Sequence, residues 1–370
     1  MNLRNLFTGI FLCAIILGTT SCDKTTKAED EPISGISVGV YYFDGWAGLS
    51  SKANDPNEPW AKTAPTHLTR RMVEEFPMRE PIWGWRDDSL TIMERQIDLA
   101  ADNGVKFFLF CWYWQTTKGP INSNAIENDS KQNSLKLFLK AKNRHRIKYS
   151  LLIANHSGAE IVGTYNWTQA ARYWMQYFQD PQYFRIDNKP LLVIFDQKGT
   201  TADGLVAMQD VAKSGNLAGL SIAGCNTTST NTGFTHRTHY NIVPGYSAGS
   251  AAHPYSEIVT ATKKQWFGSI TQPYIPVLES GWDKRPWEGP TGLGQVEGYY
   301  YPDRTPAQFR SFLQDAIDWM DLYPAQTTKE RVVLVYAWNE LGEGGYLVPT
   351  KGDPDASYLK EIKTVVDQNK

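Results

Sequence analysis

Eight short apolar runs recur along this chain, and nearly every gap between them holds a helical pattern. The runs are 37–42 (SVGVYY), 106–112 (KFFLFCW), 148–154 (KYSLLIA), 190–195 (PLLVIF), 220–225 (LSIAGC), 241–246 (NIVPGY), 274–279 (YIPVLE) and 331–338 (RVVLVYAW). They are continuous rather than alternating, as expected of parallel strands buried on both faces. Parallel neighbours need a crossover, and helical patterns over 89–103, 134–144, 168–178, 203–214, 255–267, 306–322 and 356–367 can supply it. In the first of these, Leu90, Met93, Ile97, Ala100 and Ala101 share one face. Asp88 or Ser89 can cap its start, and Gly104 gives a left-handed stop. The alternation predicts an α/β fold, a single (β/α)8 TIM barrel over residues 36–370. A doubly wound sheet would place a Gly-rich phosphate fingerprint after its first strand, and none stands there. The Trp- and Pro-rich insertion 45–88 is expected over the barrel mouth.

The first 22 residues, MNLRNLFTGIFLCAIILGTTSC, read as a secretory signal: a basic start at Arg4, an apolar stretch over 6–17, then small residues before Cys22. The placement of Cys22 resembles a bacterial lipoprotein signal, which implies lipidation at that Cys. The expected location is then an exported, lipid-anchored one on a bacterial membrane, the outer membrane, at its periplasmic or cell-surface face. Residues 23–35 read as a flexible polar tether. Cys13 would leave with the signal, so only Cys111 and Cys225 remain to the fold. Cys111 lies in an apolar run and is expected as a small core residue.

A net charge of about −2 and the lack of a long basic run argue against a nucleic-acid surface. The 13 Trp and 19 Tyr are the unusual quantity, since flat rings can also serve as platforms for sugars. In such a barrel the site lies at the C-terminal strand ends. There the sequence places Phe43, Asp44 and Trp46; Trp112, Tyr113 and Trp114; Asn155 and His156; Asp196 and Gln197; Asn226; Tyr246; Glu279, Trp282 and Asp283; and Asn339, Glu340 and Glu343. Amides, carboxylates and indoles along one rim are the chemistry of a carbohydrate cleft, while the opposite turns (NGVK, RHRIK) lack that character. The substrate-binding set expected from this is Asp44, Trp46, Trp112, Trp114, Asn155, His156, Asp196, Tyr246, Trp282, Asp283 and Asn339.

Glycoside chemistry needs one protonated acid for the leaving oxygen and a second carboxylate at the ring. Glu340 and Glu343 follow an apolar run ending AWN and sit among Gly342, Gly344 and Gly345, which permit a tight turn. Two nearby carboxyls in a dry cleft push each other's pKa apart. His236 and His239 (HRTH) have no third ligand in view and read as a surface loop, so no metal and no cofactor is expected. Asp87 and Asp88 read as helix caps.

The stretch YAWNELGEGGYLVP resembles the W-N-E-W-x-E-G motif of the WbsX-like proteins, a group related to the endo-α-1,2-mannosidases of glycoside hydrolase family 99. FFLFCWYW, DPQYFRIDNKPLLVIFD and IPVLESGWD extend the resemblance over about residues 38–349. It implies a (β/α)8 barrel and a catalytic glutamate pair. It also implies a retaining mechanism in which Glu340 assists the substrate's own 2-hydroxyl to attack the anomeric carbon and Glu343 serves as acid/base. Leu341 and Gly342 depart from the Trp and His of the mannosidases and alter the wall beside the acids. The WbsX-like group is also labelled glycosyltransferase, but neither a D-x-D beside a strand nor a Gly-rich loop marks a nucleotide-sugar site here. The expectation is therefore a monomeric glycoside hydrolase for an α-linked oligo- or polysaccharide, α-mannan among the options. The alternatives are a non-catalytic surface glycan-binding lipoprotein and a WbsX-type glycosyltransferase.

Overall fold

The computed structural model describes residues 35–114, 119–197, 199–226, 233–268 and 272–370, which belong to one compact unit. The signal 1–22, Cys22 and the tether lie outside the described residues, apart from Gly35. Eight parallel strands form the barrel: β1 (Ser37–Tyr42), β2 (Val105–Trp112), β3 (Lys148–Ile153), β4 (Lys189–Ile194), β5 (Ser221–Cys225), β6 (His236–Thr238), β7 (Val277–Glu279) and β8 (Val332–Tyr336). Neighbours pair in sequence order from β1 to β6, and β8 lies between β7 and β1. A parallel bridge between Arg237 and Tyr274 closes the ring from β6 to the segment entering β7. The uniformly buried side chains of β1, β5, β7 and β8 follow from a sheet lined by core within and helices without.

The crossovers include α1 (Leu90–Asp102), α2 (Asn133–Lys140), α3 (Gly163–Phe178), α4 (Ala202–Ser214), α5 (Ser256–Trp266) and α6 (Pro306–Leu322), and α7 (Ser357–Gln368) follows β8. Ser89 caps α1 by accepting from the Ile92 amide at 3.1 Å, and Gly104 at φ +83° ends the turn after it. Thr201 and Thr305 cap α4 and α6 in the same way. No described helix is long and apolar enough to cross a membrane. Cys111 and Cys225 are buried free thiols.

The sixth strand corrects the sequence expectation. It is His236–Thr238 rather than 241–246, and it pairs with Ala223, Gly224 and Cys225 of β5. His236 and His239 therefore do not lie on a surface loop. Burial holds both imidazoles below their usual range, at about 4, and ring nitrogens meet Thr235 Oγ1 and the Tyr274 hydroxyl. The short polar run HRT gives no apolar signal; its side chains find partners on neighbouring elements, Thr238 Oγ1 donating to the Ile275 carbonyl (2.9 Å) and the Arg237 guanidinium lying 5.5 Å over the Tyr274 ring. The more apolar NIVPGY contains Pro244, which cannot donate to a ladder, and Gly245 at φ +67°, and it forms the turn beyond β6.

Residues 43–89 fold as short helical turns against the loops that follow β7 and β8. Thr69 Oγ1 donates to the Pro286 carbonyl (2.7 Å), the Arg71 amide to Thr291 (3.2 Å) and the Ile82 amide to Pro349 (3.1 Å). The insertion thus joins the rim at the C-terminal strand ends. Asp87 is not a helix cap: it is buried, and its Oδ2 accepts from the Tyr42 hydroxyl at 3.0 Å.

Candidate active site

The tight turn after β8 carries both acids. The amides of Glu343 and Gly344 donate to the Glu340 carbonyl at 3.2 and 2.9 Å, which folds the chain back on itself. Gly344 sits at φ +83°, and a Cβ there would stand 2.5 Å from the Asp283 amide nitrogen. Gly342 lies flat on Trp287, whose ring would meet a Cβ at 1.9 Å. Neither position admits a side chain, so the turn brings its two glutamates to one side of a crowded wall.

Each acid has its own tyrosine. The Tyr240 hydroxyl donates to Glu340 Oε1 at 2.5 Å, and the Tyr336 hydroxyl donates to Glu343 Oε2. The two rings meet edge to face at 5.0 Å, so the pairs form one cluster. Glu340 is buried and its Oε2 has no hydrogen-bond partner among the described residues; Glu343 is half-buried. Burial and the neighbouring Glu343 charge raise the Glu340 pKa well above the usual carboxyl range, against the Tyr240 bond. Burial also raises Glu343, but the Tyr336 bond and the Lys284 ammonium oppose it. Lys284 is buried, donates to the Val296 carbonyl (2.7 Å) and lies 3.7 Å over the Tyr246 ring. The two carboxyls titrate as a coupled pair, both raised by burial.

Several expected ligand contacts have structural work instead. Asn339 closes the barrel rim: its Oδ1 accepts from the Phe43 amide and its Nδ2 donates to the Phe43 carbonyl, both at 2.8 Å. Asn155 joins the β3 and β4 ends by donating to the Asp196 carbonyl (2.9 Å) and accepting from the Ile161 amide (2.7 Å). Asp44 accepts from the Ser134 amide and hydroxyl at 2.7 and 2.8 Å and anchors α2. Asp283 is held by Arg79 and Arg285. Burial pushes its carboxyl up, but the two guanidiniums outweigh it and hold it below its ordinary range.

The expected indole platforms are core. Trp46, Trp112, Trp114 and Trp282 are each no more than 1% exposed. Trp112 stands edge-on to Trp174 of α3 at 5.1 Å, in the layer between barrel and helices, and Trp46 donates to the Asn339 carbonyl (2.9 Å). The rim ring that stays open is Tyr246, 44% exposed and 5.6 Å from Trp282. His156 and Asp196 are half-buried, with His156 edge-on to Tyr113 and Phe195. Tyr240, Tyr336 and Lys284 were missed. Misplacing β6 hid Tyr240, which follows its end by two residues, and Tyr336 read as an ordinary strand residue. Among the described residues no group of three His, Cys, Asp or Glu could hold a metal ion.

Residues 83–362 match the model of the family described as Glycosyltransferase WbsX. Among solved structures the chain is similar to a GH99 endo-alpha-mannosidase from Bacteroides thetaiotaomicron in complex with bis-tris-propane. That likeness has a TM-score of 0.58 at 15% identity and covers 90% of this chain and 96% of that one. A structure of a GH99 endo-alpha-mannosidase from Bacteroides thetaiotaomicron gives 0.56 at 14% identity, with 90% and 96% covered. A chain described as a glycoside hydrolase-like protein gives 0.58 at 14%, with 91% and 95% covered. No curated protein matches. At these identities the likeness shows the barrel fold alone.

Proposed function

Because the chain belongs to the family described as Glycosyltransferase WbsX, on a barrel shared with glycoside hydrolases, we propose that it hydrolyses an α-linked glycan with Glu340 and Glu343. One observation carries this reading: a buried and a half-buried carboxyl on one turn, each held by its own tyrosine, both with raised pKa values. A binding protein has no use for such a pair, because burying a second acid beside the first costs stability and adds no sugar contact.

The retaining scheme implied by the resemblance balances as follows. The substrate 2-hydroxyl attacks the anomeric carbon, its proton passes to Glu340, and Glu343 protonates the departing oxygen. Water then opens the anhydrosugar, with the proton transfers reversed. The roles need the acid proton on Glu343 at bond cleavage. Kinetics decide it: Glu343→Gln should lose hydrolysis of poor leaving groups by about 10²–10⁴-fold while sparing an activated aryl glycoside. Glu340→Gln should lose both. The reverse pattern would exchange the roles, and equal activity in all three proteins would end the reading.

The family description itself favours a second reading, glycosyl transfer. Incubation with polysaccharides and, separately, with nucleotide sugars plus acceptors distinguishes the two by which reaction yields product. We also propose an exported monomer lipid-anchored at Cys22. Cys22→Ser should abolish labelling by a radioactive fatty acid, and labelling that persists would sink the anchor.

A further inference from the structure

Behind the catalytic turn lies a recess of about 250 Å³ between the loops after β7 and β8 and the insertion after β1. Its charged lining is Arg79, Arg285, Arg304 and Asp283, which is three guanidiniums against one carboxylate. Asp283 is shared: Arg285 reaches it through Nε and Nη2, both at 2.8 Å, and Arg79 through Nη2 at 2.5 Å. Arg79 is otherwise spent on the carbonyls of Asp283 and Leu341, at 2.8 and 3.0 Å.

Arg304 is different. Its guanidinium lies 4.7 Å over Tyr346 and 4.5 Å over Tyr358, so the rings cover its faces and leave its edges for hydrogen bonding. Among the described residues it has no ion pair, and its single hydrogen bond runs from Nη1 to the Ser280 carbonyl. A fold that only needed a structural ion network would balance it. Here two positive charges are left over in a concave site, where low-dielectric walls concentrate their field. Guanidinium edges match a carboxylate or sulfate in shape and charge. The recess is also lined by Gly344, the residue after Glu343, so it adjoins the turn that carries the acids.

We propose that this recess binds an oxyanion carried on the glycan, a uronate carboxylate or a sulfate ester, on a sugar adjoining the one cleaved. The proposal rests on reading Glu340 and Glu343 as a glycan site, and its test separates the two. The protein is titrated calorimetrically with inorganic sulfate and with glucuronate, using glucose as the neutral control. It is also applied to an array of neutral, uronate-bearing and sulfated glycans. Expected are saturable binding of an oxyanion, retention of acidic glycans over neutral ones, and about a tenfold weaker Kd for both in Arg304→Gln. Uronate retained over sulfate, or the reverse, names the group.

Because Arg304 also packs on two tyrosines, Arg304→Lys and a rise in NaCl provide a second route. The lysine should keep the preference and salt should weaken it. No saturable oxyanion binding overturns the proposal even if the protein cleaves glycans. An equal response to acidic and neutral glycans, or a preference unchanged in Arg304→Gln, overturns it as well. Sulfate binding without retention or cleavage of any glycan overturns the glycan assignment and the hydrolase reading together.

Discussion

Asp87→Asn removes from the interior a carboxyl that only the fold keeps neutral. Asp87 is buried: Oδ2 accepts from the Tyr42 hydroxyl and lies 3.4 Å from Asn339 Nδ2, while Oδ1 has no hydrogen-bond partner among the described residues. Burial, with the nearby Asp88 charge, raises its pKa from 3.8 to about 7, against the opposing hydrogen bonds. The folded pKa lies above the unfolded one, so the unfolded chain gives up this proton first as pH rises. Stability is therefore full below about pH 4, falls between about 4 and 7, and is constant above. The slope is at most about 1.4 kcal/mol per pH unit and halves at the folded pKa, so Asp87 alone removes about 2 kcal/mol between pH 5 and 7. Asn keeps the shape and cannot titrate. Any fixed cost of its amide is the same at both pH values and cancels in the difference. Urea unfolding of both proteins at pH 5 and pH 7 should show the variant losing about 2 kcal/mol less than the parent. Asp44, raised to about 8 by burial and then by Asp87, loses one cause of its own shift and adds to the effect. Equal losses in parent and variant would refute the reasoning.

Two further substitutions test the site and its surroundings. Tyr240→Phe keeps the ring against Tyr41, Phe195 and Tyr336 but removes the donor to Glu340. A lost bond to a charged group is worth about 1.5–3 kcal/mol, so kcat/KM at pH 7 should fall roughly 10- to 150-fold, and its acid limb should move to higher pH. A limb that stays put would assign the tyrosine to packing alone. Trp112→Ala should cost about 3–5 kcal/mol in unfolding free energy while leaving glycan affinity in the folded protein unchanged; weakened affinity at full stability would return the ring to the binding site.

The barrel was legible because seven of its strands are apolar on both faces, and that pattern is written along the chain. β6 was not, because three polar residues can complete a ring when neighbouring strands and side-chain hydrogen bonds satisfy them. The acids were legible from their glycines and from the run before them. Their partners were not: Tyr240 and Tyr336 become functional through a contact across 100 residues for Glu340 and through strand orientation for Glu343. The tryptophans misled in the opposite direction. An indole buries well against a helix, and sequence does not say which side of a barrel strand it faces. Asn339 looked like a ligand contact because an amide beside two acids reads the same whether it binds a sugar or a backbone.

The Asn339 clasp also bears on how the molecule is made. It joins the end of β8 to Phe43, 296 residues earlier, and β8 fills the space between β1 and β7. During synthesis β1 therefore emerges with one edge bare, and its partner appears only after the seven other strands. Until β8 arrives, the glutamates, their turn and the closing clasp are all missing together. An unfinished chain thus lacks its candidate site and is edge-exposed at once, and a chaperone that holds it extended would guard against both misassembly and aggregation.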